Sequence, residues 1–106
     1  MTRYYACHRL YFPDGTFRAF RVVGVDGDGC YAGDAPLEGE QAGVAWIGGC
    51  CLLCPEGRLL RPGSTLAEAC RQASCGDVSP RWWLWQACGL PLDARDLPVR
   101  VWRRLR

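Results

Sequence analysis

Cysteines are the residues of this 106-residue chain whose type and spacing come closest to a chemical site. Cys51 and Cys54 form one pair, and Cys70 and Cys75 form a second pair after fifteen intervening residues. This approaches the spacing of a tetrahedral zinc site with four thiolate ligands. However, residues three apart on a strand face opposite sides, and the second pair lies on a predicted helix at a spacing that separates its thiols. We therefore predict buried, uncharged thiols at most of the eight cysteines. The alternative is a small zinc-binding protein that uses these four.

The residue types and their spacing argue against several other kinds of catalytic site. The chain contains no lysine and a single histidine, His8. These two facts exclude a phosphate-binding Walker lysine, a Schiff-base lysine and any site that needs two imidazoles from one chain. Cys7 precedes His8, but neighbours on a strand point to opposite faces and cannot act as nucleophile and base. We expect a surface or edge histidine, no catalytic or cofactor-binding residue, no cofactor and no enzymatic activity.

The C-terminal part of the chain combines tryptophan with arginine. Four of the last seven residues are arginines, and they account for all of the formal net charge of +2. A solvated edge strand is our first interpretation of this pattern, a protein interface the second, and nucleic-acid binding a distant third. Edge pairing with a second copy would give a homodimer, and an unidentified protein is the other partner considered. The candidate interface residues are Trp82, Trp83, Trp85, Trp102 and Arg103.

The elements that must position these residues are mostly strands. Aromatic and β-branched residues bounded by Asp-Gly turns predict three strands, although the apolar alternation of the second is imperfect. A run that is apolar on both faces predicts a fourth, buried strand. Residues 82–89 suit a strand or a short helix, and arginines alternating with apolar residues predict a last strand. The predicted strands are 4–12, 16–25, 30–35, 44–54 and 97–105.

One helix is predicted, over about residues 65–75. Thr65 and Glu68 have the spacing of a capping box, and Gly76 suits the C-terminal stop. The fold class is therefore mainly β: a small β-sandwich with one inserted helix, formed by residues 1–106 as a single domain. The start of the chain lacks the apolar core of a secretory signal, and the uncharged stretch 43–55 is too short to span a bilayer. We expect a cytoplasmic protein without a membrane segment.

Short glycine-rich motifs in the first half of the chain resemble the N-terminal segment of the amidohydrolase superfamily of metal-dependent hydrolases. They are Val22-Val-Gly-Val-Asp-Gly27, Pro36-Leu37, Trp46-Ile-Gly-Gly49 and Leu52-Leu-Cys-Pro55. In that family this segment pairs with a C-terminal segment to form a small β-sandwich, the composite domain. The resemblance implies a stand-alone composite-type domain, similar to small bacterial proteins, with the terminal strands as its second half. The family's His-x-His metal pair after the proline is absent here, so no metal ligand is implied.

Overall fold

Seven strands and one helix are formed by the residues that the computed structural model describes, which are 1–39, 41–75 and 81–106. This confirms the prediction of a mainly β fold with one helix. The predicted helix stop at Gly76 lies outside the described residues. The elements are β1 (Arg3–Tyr11), β2 (Phe17–Val25), β3 (Tyr31–Pro36), β4 (Val44–Trp46), β5 (Cys50–Pro55), α1 (Leu66–Ser74), β6 (Trp82–Cys88) and β7 (Val101–Leu105).

All seven strands belong to one sheet, which curls over itself. The strand order is β3-β2-β1-β5-β6-β7, and β4 pairs with the first half of β1. β1 is antiparallel to β2 and parallel to β4 and β5. Residues of β3 and β6 approach within 8 Å between Cα atoms, whereas four spacings of about 4.8 Å would separate them by roughly 19 Å in a flat sheet. Because of this curl, two parts of the one sheet lie over each other as two layers, as predicted for a sandwich.

Each face of the curled sheet carries a core. The inner core, enclosed by the curl, consists of Cys7, Leu10, Val23, Val25, Cys51, Leu53, Leu84 and Leu105. The outer core lies under α1 and the segment before β7, and it consists of Tyr11, Cys50, Leu52, Cys54, Leu60, Leu66, Ala69, Cys70, Ala73, Trp85, Ala87, Leu90 and Val99. β5 contributes to both cores and is buried along its whole length, as its unbroken apolar sequence predicts.

Helix α1 begins at the predicted capping box. The Thr65 hydroxyl accepts a hydrogen bond from the Glu68 N–H at 3.1 Å, and the Glu68 carboxylate accepts one from the Thr65 N–H at 3.3 Å. Such a cap stabilises a helix by about 1 kcal/mol. The buried side of α1 then packs against the outer core. Within the described residues, no helix has the length and apolarity needed to cross a lipid bilayer.

Three details of the strands differ from, or refine, the expectations. The predicted strand 44–54 is two strands, β4 and β5, because Gly48 and Gly49 both adopt φ 64°. The last strand begins at Val101 instead of residue 97, since Val99 exchanges backbone hydrogen bonds with Gly63 and Ser64. The ambiguous segment 82–89 forms strand β6, and its register with β5 is antiparallel throughout.

Candidate functional site

A line of backbone irregularities crosses three neighbouring strands at one level. Phe20 in β2 has φ 50° and is the one non-glycine residue with positive φ in the described parts of the chain. The strand register places His8 of β1 opposite Phe20. The N–H groups of His8 and Arg9 both donate to the Gly49 carbonyl, at 3.1 and 3.2 Å. Two donors sharing one acceptor are typical of a β-bulge, and the two glycines between β4 and β5 complete the line.

The irregularity reverses which way the side chains of β1 and β2 point. Cys7 and Leu10 both face the inner core, and Arg18 and Arg21 both bind the carboxylate of Asp34. Residues three apart on a regular strand would face opposite sides. The imperfect alternation of apolar residues in β2 therefore reflects a change at Phe20 in the side of the sheet to which the side chains point.

A buried carboxylate holds the chain on both sides of Phe20. The side chain of Asp34 is 1% exposed and accepts hydrogen bonds from Arg21 Nε at 2.7 Å, Arg18 Nη1 at 3.1 Å and the Tyr31 hydroxyl. Burial alone would raise the pKa of Asp34, but these hydrogen bonds outweigh it and lower the pKa. Burial, followed by the hydrogen bond to Asp34, raises the pKa of Tyr31 to about 12. Asp34 is thus a charged anchor for the β2–β3 hairpin.

Three rings lie together at the irregularity. His8 Nδ1 accepts a hydrogen bond from the Gly49 N–H at 2.8 Å. The His8 ring makes edge contacts with Trp46 and Phe20, with centroid distances of 4.8 and 5.7 Å. Phe20 and Trp46 are each 55% exposed. We call Phe20, His8 and Trp46 the aromatic surface. It joins residues that the chain brings from β2, β1 and β4.

A groove of about 860 Å³ adjoins the aromatic surface, and Trp46 belongs to both. The Leu37 N–H donates to the Phe20 carbonyl at 2.8 Å, which ties the wall of the groove to the aromatic surface. None of the described residues that line the groove carries a charge. They are Ala6, Leu37, Gly39, Gln41, Ala42, Val44 and Trp46. A concave apolar groove beside exposed rings is suited to binding apolar surface.

The four cysteines of the zinc hypothesis do not converge. Cys51 lies in the inner core, Cys54 and Cys70 lie in the outer core, and Cys75 is exposed. Across the described ranges, no three His, Cys, Asp or Glu side chains are grouped so that they could hold a metal ion. Burial raises the pKa of Cys54 to about 11, so its thiol stays protonated at neutral pH. The thiols of Cys51, Cys54 and Cys70 pack as small apolar groups in the two cores.

The predicted interface residues of the C-terminal part have divided roles. Trp85 is buried in the outer core, and Trp83 and Trp102 pack partly buried against it. Trp82 packs against the inner core. Arg103 is exposed on β7, which is an edge strand of the sheet. The tryptophans are therefore largely engaged within the fold, and the exposed part of the predicted interface is the arginine-rich strand.

Sequence reasoning missed Phe20 and Trp46 as functional candidates and treated His8 as a surface or edge residue. The sequence carries two signals at this place: the broken alternation of β2 and the adjacent glycines at 48 and 49. Neither signal shows that three strands meet in register there, because register depends on long-range pairing.

In comparisons with known proteins, no protein-family model, no curated protein and no solved structure matches the chain. Any assignment of function therefore depends on the residues and the geometry described above.

Proposed function

We propose that this protein is a non-catalytic binding module that associates with a second copy of itself through the aromatic surface. The observation that carries the proposal is Phe20, a half-exposed ring on a left-handed backbone. The left-handed conformation costs about 1–2 kcal/mol for a residue with a side chain, and Gly or Asn adopts it more easily. An exposed phenylalanine recovers little of that cost through burial. Phenylalanine at this position therefore does not favour the folded state of the isolated chain. At an interface, its apolar ring would contribute to binding.

The neighbouring rings are held in place before any partner arrives. His8 is fixed by its hydrogen bond to Gly49 and contacts both exposed rings. The Asp34 carboxylate holds Arg18 and Arg21, which flank Phe20 along the strand. A surface that is ordered in advance loses less conformational entropy on binding. Tryptophan is also among the residues that most often dominate interface energies.

A second copy is the occupant that fits this surface. A twofold interface brings a patch against the same patch of the partner, so a charged patch would repel itself. The rings of Phe20 and Trp46 and the described lining of the groove are uncharged. Pairing of β7 with its own copy would instead set exposed arginines such as Arg103 against one another. We therefore assign self-association to the aromatic surface and not to the terminal strand.

Two further parts of the proposal concern architecture and location. We retain the composite-domain resemblance as a proposal, and the pairing of β5, from the first half of the chain, with the terminal strand β6 supports it. We also propose a cytoplasmic location. It is supported by six free cysteines buried in the fold, because cysteine behaves as a small apolar residue where thiols stay reduced.

Sedimentation equilibrium of the wild type and Trp46→Gln tests the proposed self-association. We expect a reversible dimer with a Kd on the order of 10–100 µM for the wild type. Trp46→Gln should raise the Kd at least about tenfold, because one exposed ring is lost from each copy. Leu59→Gln is the matched control, since Leu59 is an exposed apolar residue (76% exposed) that lines neither the aromatic surface nor the groove.

Urea denaturation of each variant, at concentrations below the Kd, shows that loss of association is not loss of folding. The proposal is supported if Trp46→Gln weakens the dimer and Leu59→Gln does not. It is overturned if the wild type stays monomeric up to about 1 mM, or if both variants weaken association equally.

A further inference from the structure

Strand β7 is an edge of the sheet with an open outer side. In the described parts of the chain it pairs with β6 alone. Val101 is 56% exposed, and Arg100 and Arg103 are exposed beside it. An edge strand presents unpaired N–H and C=O groups, which form a template for one more strand. The remaining question is which strand this edge would accept.

The charged side chains along this edge are all positive. Residues 97–106 contain four arginines and no acidic residue. Several arginines elsewhere pair with carboxylates: Arg9 pairs with Asp93 at 3.1 Å, and Arg21 pairs with Asp34 at 2.7 Å. Among the described residues, no carboxylate pairs with Arg100 or Arg103. Two exposed cations therefore line the open edge without a partner of opposite charge in the described structure.

A third cation on β7 is fixed in position. The guanidinium of Arg104 lies 3.5 Å from the centroid of the Trp83 ring. Its Nη2 also donates to the Gly29 carbonyl at 3.4 Å, and its Nε is buried without a described hydrogen-bond partner. The cation–π contact orders the charge before binding. The turn around Gly29 meets the end of β7 here, so the open part of the edge is Val101–Arg103.

We propose that the edge of β7 docks an extended acidic segment of a partner protein, which adds to the sheet as one more strand. The backbone of β7 would supply the hydrogen bonds, and Arg100 and Arg103 would pair with carboxylates of the segment. The same arginines oppose pairing of β7 with another β7. This site is separate from the aromatic surface, so either proposal can fail without the other.

The test uses a labelled synthetic peptide of about nine residues in which pairs of adjacent glutamates alternate with threonine or valine, so that carboxylates project from both faces of the strand. Its length exceeds the five residues of β7. Fluorescence anisotropy measures its Kd for the wild type and for the double variant Arg100→Gln/Arg103→Gln. The matched control is Arg61→Gln/Arg71→Gln, which removes two exposed arginines elsewhere and changes the net charge equally. We expect the first variant to bind the peptide at least about tenfold more weakly and the control to bind it as the wild type does.

Two further probes separate strand addition from charge attraction. A peptide of the same sequence with consecutive backbone nitrogens methylated along its central residues keeps its charge but loses N–H donors on both strand edges, and we expect it to bind at least about tenfold more weakly. Single-stranded DNA of equal charge tests the nucleic-acid alternative, and we expect it to bind more weakly than the peptide. The inference is overturned if the peptide does not bind, if the methylated peptide binds equally well, or if the DNA binds as tightly as the peptide.

Discussion

A single backbone angle, φ 50° at Phe20, connects the local structure of this protein with its proposed role. The opposite residue, His8, accommodates it through a shared hydrogen-bond acceptor and a ring contact. Residue type alone would not have revealed this position, because phenylalanine on a predicted strand is ordinary. The unusual feature is the combination of an aromatic side chain, half exposure and a left-handed backbone. Such outliers concentrate at functional sites.

Replacement of Phe20 by asparagine should barely change stability. Asparagine tolerates the left-handed backbone, so relief of strain offsets the lost ring contact, and we expect a change below about 1 kcal/mol in the free energy of unfolding. The matched control is Phe17→Asn on the same strand. Phe17 packs on Tyr11 at a centroid distance of 5.1 Å and lies under the Arg9 guanidinium at 4.7 Å.

We expect Phe17→Asn to lower the free energy of unfolding by about 1–2 kcal/mol, because it removes these contacts and gains no relief of strain. Urea denaturation of dilute samples measures both changes. A cost for Phe20→Asn as large as that for Phe17→Asn would show that the Phe20 ring serves the fold instead of a partner.

At the scale of elements, the β2–β3 hairpin depends on one buried carboxylate. Asp34 binds two arginines of β2 and the hydroxyl of Tyr31 within β3. The turn and both strands of this hairpin were predictable, because the Asp-Gly turn and the β-branched residues are local signals. The reversal at Phe20 was visible only as imperfect alternation. The break between β4 and β5 was hidden by an unbroken apolar run, although Gly48 and Gly49 mark it.

The Tyr31 hydroxyl should make stability fall at alkaline pH. Its pKa is about 12 in the fold and about 10 in the unfolded chain. Folding therefore favours the protonated form, so the stabilisation is complete below about pH 10 and is lost as the pH rises toward 12. Tyr31→Phe removes this contribution. Urea midpoints at about pH 9 and pH 11 should differ less for the variant than for the wild type, and equal differences would contradict the assignment.

At the scale of the whole molecule, one curled sheet with a core on each face brings the functional candidates together. The mainly β class and the helix followed from composition, strand patterns and the capping box at Thr65. The curl and the parallel placement of β4 and β5 beside β1 could not be predicted from the sequence, because they depend on pairing between distant segments. The aromatic surface is a product of that pairing. Its three rings come from three strands, and no local motif contains them.

The most direct test of the central claim is sedimentation equilibrium of Phe20→Asn beside the wild type. If Phe20 is retained for association and not for folding, the variant should fold as stably as the wild type while its dimer Kd rises at least about tenfold. A Phe20→Asn protein that is well folded and dimerises with the wild-type Kd would contradict the claim.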